Sequence, residues 1–167
     1  MMAHVKAHAV SAVRGVARLY ELPTAGGRAL PDFLIIGVER AGTTSLYRYL
    51  VAHPQIMPLT LGRKGAHYFD TNFGRDIRWY RSHFPSDLAV RARARRVRED
   101  RVITGEACPY YAFHPMVPER VHAALPDVRL ILMLRDPITR AYSQHQHEVA
   151  RGFETLAFDD AVAAEPE

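Results

Sequence analysis

The sequence predicts an α/β fold, a mainly parallel central sheet flanked by helices. Three observations carry this. Short apolar runs alternate with longer stretches of helical spacing. The apolar run 33–37 suits a strand buried on both faces, as in a parallel sheet, and 128–134 is the strongest strand signal in the chain. Each leads through a glycine or proline turn into a helix-spaced segment.

The bulk numbers suit one domain. The chain has 167 residues, 48% of them hydrophobic, enough for a real core. The net charge of +4 favours an anionic partner without choosing among nucleic acid, anionic lipid and nucleotide. Cys108 is the single cysteine, which excludes an intrachain disulfide scaffold and points to a reducing, cytoplasmic setting. No stretch approaches the ~20 apolar residues of a membrane-spanning helix. Nine histidines are scattered with no paired Cys/His cluster, so no metal is expected.

In chain order, 1–22 reads as a short basic helix, interrupted by Lys6, Arg14 and Arg18 and therefore not a signal peptide. Residues 23–31 are punctuated by Pro and Gly as a linker. The expected division is thus 1–30 as a basic segment and linker and 31–167 as the domain. Strand 33–37 is followed by a glycine loop and a helix carrying Leu46, Tyr49 and Leu50. Gln55–Met57 is a short strand bounded by prolines. Residues 75–84 form an amphipathic helix, with Ile77, Trp79, Tyr80 and Phe84, ended by Pro85. The basic run 91–101 is a solvated face or loop; without interleaved aromatics it does not suggest nucleic-acid binding. A strand at 102–105, a helix at 115–125, the strand at 128–134 and a helix from Ile138 to Arg151, stopped by Gly152, complete the pattern.

Gly37-Val38-Glu39-Arg40-Ala41-Gly42-Thr43-Thr44 has the glycine spacing of a P-loop, between a buried strand and a helix. The expected architecture is a P-loop-like three-layer sandwich. Backbone amides at the helix start suit an anion. The lysine of the nucleotide-triphosphatase motif is Thr43 here, which argues against triphosphate chemistry, while Arg40 places a cation inside the loop. The spacing alone also fits a purely structural turn. At the end of the last strand, Arg135 precedes Ser143 by about two helical turns, so a guanidinium and a hydroxyl together suit a second phosphate. A surface Arg–Asp pair and an ordinary helix serine fit the same residues.

Five segments in order then resemble one family, the sulfotransferases dependent on 3′-phosphoadenosine 5′-phosphosulfate (PAPS), especially the Golgi heparan-sulfate type and its bacterial relatives. They are 37–46, Arg63-Lys64-Gly65-Ala66-His67-Tyr68-Phe69-Asp70, 77–85, 105–111 and 135–143. The resemblance implies transfer of a sulfuryl group to a hydroxyl or amine of a carbohydrate-type or other small acceptor. It implies donor contacts from Arg40, Ala41, Gly42, Thr43, Thr44, Ser45, Arg135 and Ser143, with Arg40 and Lys64 stabilising the leaving phosphate and no metal. Two residues depart from the pattern. The usual loop lysine is Arg40, and the glutamate proposed as base in relatives is Gly65. His67 is the first substitute base and Glu106 the second; His67 also reads as a structural histidine. Trp79, Tyr80, Tyr110 and Tyr111 are candidates for an acceptor cleft, with core packing the plainer reading of the first two.

Two rivals stand beside this reading. One is a P-loop kinase or triphosphatase. The other is a non-catalytic PAPS-binding domain, supported by Gly65. Family catalytic domains continue well past the 3′-phosphate motif, so residues 31–167 read as the front portion of such a domain, truncated at the C-terminus, with an incomplete site. The acceptor and the oligomeric state are not legible.

Overall fold

The structure, a computed structural model, describes residues 22–165. The basic segment 1–21 lies outside the described residues. Four strands, β1 (Phe33–Gly37), β2 (Ile56–Met57), β3 (Ile103–Ala107) and β4 (Arg129–Leu132), form one sheet in the order β2-β3-β1-β4. Every pairing is parallel. Among the described residues the α-helices are α1 (Thr43–Ala52), α2 (Ile77–Arg81), α3 (Asp87–Val97), α4 (Val117–Ala124), α5 (Pro137–Arg151) and α6 (Phe158–Ala164).

The crossover from β1 through α1 to β2 runs one way across the sheet, and that from β3 through α4 to β4 runs the other. Right-handed crossovers in opposite directions put their helices on opposite faces, which gives three layers. Phe33, Leu34 and Ile35 of β1 are buried at the sheet centre, with Tyr47, Leu59, Phe69, Tyr80, Phe84 and Tyr111 around them. Tyr68 stacks on Tyr80 with 4.8 Å between ring centres, and Phe69 meets Tyr80 and Tyr111 edge-on. An aromatic cluster of this kind locks the long segment between β2 and α3 onto the sheet.

Three expectations change. The segment read as a linker is docked: Arg28 is buried, its guanidinium donates to the Phe84 carbonyl at 2.7 Å, and Ala29 N–H donates to Pro85 at 3.1 Å. The helix expected over 75–84 stops at Arg81, because Ser82, His83 and Phe84 close tight turns before Pro85. The apolar run 128–134 narrows to the four residues Arg129–Leu132, at the edge of the sheet among the described residues. Leu130 and Leu132 are 55% and 50% exposed. Helix α5 matches its predicted range. Asp136 caps it by accepting from Thr139 N–H at 2.9 Å, Pro137 opens it, and Gly152, at φ 76°, ends it.

Candidate functional site

The site lies at the carboxyl ends of β1, β3 and β4, the edge where open α/β sheets bind ligands. After β1 the chain turns sharply. Gly42 sits at φ 93°, a conformation cheap only for glycine, and Arg40 also lies in the left-handed region at φ 63°. Helix α1 starts at Thr43, and Ser45 and Leu46 N–H both donate to the Gly42 carbonyl at 3.0 Å. The amides of Gly42, Thr43 and Thr44 stand at the open helix end, where no intrahelical carbonyl reaches them. Ala41 does not join them. Its N–H closes the turn on Val38 O at 3.2 Å, which removes that amide from the predicted cradle. The Ser45 amide is likewise used by α1, so its hydroxyl is the group left to offer. Thr43 turns its side chain into the core, leaving only its amide.

The second cradle adjoins the first. Val38 N–H donates to Met133 O and Met133 N–H to Gly37 O, both at 2.8 Å, tying the loop to the end of β4. Arg40 Nε then donates to Ser143 Oγ at 3.2 Å, and Arg135 Nη1 donates to the Arg40 carbonyl at 3.0 Å. Thr139, which sequence reading missed, accepts from Arg135 Nε at 3.3 Å. Its signal was the cap itself, an Asp-Pro-x-Thr turn directly after the arginine. Across the loop, Lys64 Nζ donates to Thr44 Oγ1 at 3.0 Å.

Arg40, Lys64 and Arg135 therefore rest on hydroxyls and a carbonyl. None of the ion pairs His67–Asp70, Arg101–Asp32 and Arg151–Glu148 involves these three cations. Like charges gathered without a counter-ion repel one another, and an anion carrying several charges relieves that repulsion.

The third wall is the segment 63–70. Ala107 N–H donates to Lys64 O at 2.8 Å, carrying the segment along the end of β3. Glu106, the second candidate base, is 0% exposed. Its carboxylate accepts from Ala66 N–H at 2.7 Å, Tyr80 OH at 2.9 Å, Tyr111 OH at 3.0 Å and Cys108 Sγ at 3.6 Å. Burial raises its pKa, and these donors oppose the shift. With all its acceptor capacity turned inward and no surface, Glu106 positions the wall and does not face an acceptor. Gly65 is equally constrained: a Cβ there would lie 2.4 Å from Cys108 Sγ and 2.6 Å from the Ala107 carbonyl oxygen.

His67 differs. Its side chain is partly exposed, and its Nδ1 lies 2.9 Å from Oδ2 of buried Asp70. Asp70 Oδ1 accepts from Thr71 N–H, which fixes the carboxylate. His67 holds φ 52°, and its carbonyl accepts from Asn72 N–H, Asn72 Nδ2 and Thr71 Oγ1, contacts that hold the strained conformation. The hydrogen bond to Asp70 raises the imidazole pKa, against a smaller opposing effect of burial. Burial pushes Asp70 upward, but the hydrogen bonds from His67 and Thr71 outweigh it and the net shift is down. Sequence reading missed Asp70 as a partner, although it stands three residues on within the motif.

Of the four aromatic candidates, Trp79, Tyr80 and Tyr111 are core residues. Tyr111 OH accepts from Tyr68 N–H at 3.0 Å and Phe69 N–H at 3.3 Å while donating to Glu106. Tyr110 lies on a cleft of about 480 Å³ between the β1 loop, the β3 loop and α5.

This geometry agrees with what the chain is similar to. The model of the sulfotransferase family matches residues 31–165. The chain belongs to the sulfotransferase family. Human heparan sulfate glucosamine 3-O-sulfotransferase 6 is 36% identical over 145 residues, covering 82% of this chain and 38% of that protein. Membrane-associated sulfotransferase kil1 of Dictyostelium discoideum is 35% identical over 120 residues, covering 72% and 23%. The crystal structure of a sulfotransferase from Alicyclobacillus acidocaldarius superposes with a TM-score of 0.61 at 35% identity, over 82% of this chain and 57% of that one. This sulfotransferase chain thus spans less than two fifths of the curated relatives just named. Its threonine at position 43 stands where the nucleotide-triphosphatase motif carries lysine.

Proposed function

We propose that this protein transfers a sulfuryl group from PAPS to a hydroxyl of a carbohydrate-type acceptor. One observation carries the reading: Arg40 donates to Ser143 and its carbonyl accepts from Arg135, so the loop after β1 and the Arg135–Ser143 pair form one continuous cationic surface. A nucleotide with a 5′-phosphosulfate and a 3′-phosphate presents two anionic ends to such a surface. The amides of Gly42, Thr43 and Thr44 would hold the 5′ end, and Arg135 and Ser143 the 3′-phosphate. The relatives named for heparan sulfate glucosamine support a sugar as the acceptor class.

The residues divide the chemistry among them. His67 donates Nδ1–H to Asp70, which leaves the Nε2 lone pair for the acceptor hydroxyl proton. As the acceptor oxygen bonds to sulfur, the bond from sulfur to the bridging phosphate oxygen breaks. The electron pair stays on that oxygen, and Arg40 and Lys64 stabilise it. No step needs Glu106.

A second reading, a donor-binding domain without transfer, draws on Gly65, which has no proton-accepting group. Incubation with PAPS and a panel of saccharide acceptors separates the two. Sulfated product with matching release of adenosine 3′,5′-bisphosphate supports the transferase. Tight bisphosphate binding with no product from any acceptor supports the second reading. A cytoplasmic location remains part of the proposal; it is supported by the single, buried thiol of Cys108, and a fractionation of the native host tests it.

A further inference from the structure

The cleft beside the donor cradle has a character of its own. Glu39 on its wall directly precedes Arg40, and Gln144 directly follows Ser143, so the cleft shares the β1 loop and α5 with the donor cradle. Its third wall is the β3 loop, where Tyr110 is 39% exposed and Phe113 is 78% exposed. Their rings stand 5.5 Å apart at 48°, an open aromatic corner. The charged groups lining the cleft are the guanidinium of Arg140 and the carboxylates of Glu39 and Glu165. The balance there is acidic although the chain as a whole is basic.

The strongest run of positive charge is elsewhere. Arg91, Arg93, Arg95 and Arg96 lie on α3, and Arg93 Nε donates to the Pro54 carbonyl at 2.9 Å. Pro54 precedes β2, so this run sits at the amino ends of the strands, opposite the cleft. It offers no cationic track to a polymer lying across the site.

We propose that this cleft is the acceptor subsite and selects a neutral sugar ring over a polyanionic saccharide. An aromatic corner takes the apolar face of a sugar, while Glu39, Arg140 and Gln144 meet its hydroxyls. Two carboxylates against one guanidinium repel a sulfated or uronic-acid-rich chain. This inference rests on the transferase reading above and adds the acceptor class.

The test is calorimetry on the full chain saturated with adenosine 3′,5′-bisphosphate, so that the donor cradle is filled. The probes are 4-nitrophenyl β-D-glucopyranoside and a heparin-derived tetrasaccharide. The neutral glycoside should bind about tenfold or more tightly than the heparin fragment. Phe113→Ala and Tyr110→Ala should each weaken the glycoside about fivefold, the scale of one aromatic contact, with bisphosphate affinity unchanged. Phe113 is so exposed that its loss leaves the fold intact. Tighter binding of the heparin fragment, or glycoside affinity indifferent to both variants, overturns the inference. Bisphosphate binding with no glycoside binding overturns this inference alone. If the bisphosphate itself does not bind, the transferase reading fails first and takes the inference with it.

Discussion

Arg40 and Ser143, 103 residues apart in the chain, meet through a hydrogen bond of 3.2 Å from guanidine Nε to hydroxyl Oγ. This contact joins the loop after β1 to the helix after β4. A ligand phosphate entering there takes over the guanidine N–H that Ser143 Oγ now accepts, so its recognition depends on both elements together.

Ser143→Ala should therefore act on one end of the nucleotide. Loss of a hydrogen bond to a charged group costs roughly 1.5–3 kcal/mol, or about tenfold or more in affinity. Adenosine 3′,5′-bisphosphate should weaken by that factor and adenosine 5′-phosphate should not. Parallel titrations of the variant with the two nucleotides check this.

Arg40→Ala should lower turnover more than donor affinity. Removing a group aimed at developing charge costs on the order of a hundredfold to a thousandfold in kcat. Arg40→Lys keeps the charge but loses the Nε contact with Ser143, so it should recover part of the rate and little of the 3′-phosphate discrimination. Steady-state kinetics beside nucleotide binding separates these two effects.

The site was only partly legible in the sequence, and particular residues show why. The β1 loop and the Arg135–Ser143 turn could be found because local spacing sets them. The union of Arg40 with Ser143 could be expected only through a resemblance. Glu106 looked like a spare base because a carboxylate near a site motif carries no mark of burial; only the packing of Tyr80, Tyr111 and Ala66 around it shows that it faces inward. The run at 128–134 read as a strand, but its place at the sheet edge was not legible, because an apolar run records preference for a sheet, not position within it. Tyr110 and Tyr111 are neighbours of the same type, yet one lines a cleft and the other anchors the core.

Placing a carboxylate at position 65 should not create a base. Gly65→Ala already drives a methyl against Cys108 Sγ and the Ala107 carbonyl, and overpacking of this kind costs about 1–3 kcal/mol. Gly65→Glu should cost at least as much. Adding Cys108→Ala should not restore stability, since the Ala107 oxygen is backbone and stays within 2.6 Å of the new Cβ. Denaturant midpoints of the single and double variants provide the comparison.

The His67–Asp70 pair sets a pH dependence whose sign can be worked out. Asp70 raises the His67 pKa above its ordinary value, near 6.5. The pair's stabilisation through His67 is full below about pH 6.5 and fades as pH rises through the raised value. Through Asp70, whose pKa is depressed, it is full above about pH 3.9 and is lost as pH falls through the lowered value. In the proposed mechanism His67 acts as the neutral base, so kcat/KM should rise on the alkaline side of its ordinary titration. Asp70→Asn should move that acid limb to lower pH and reduce the plateau. An acid limb at the same pH in Asp70→Asn, or its survival in His67→Ala, removes His67 as the base.

The most direct measurement is a calorimetric titration of the full chain with adenosine 3′,5′-bisphosphate and, separately, with adenosine 5′-phosphate. One surface that grips both ends of a nucleotide predicts one site and about tenfold or greater preference for the bisphosphate, abolished by Arg135→Ala. Equal affinity for the two nucleotides, or a preference that survives Arg135→Ala, contradicts it.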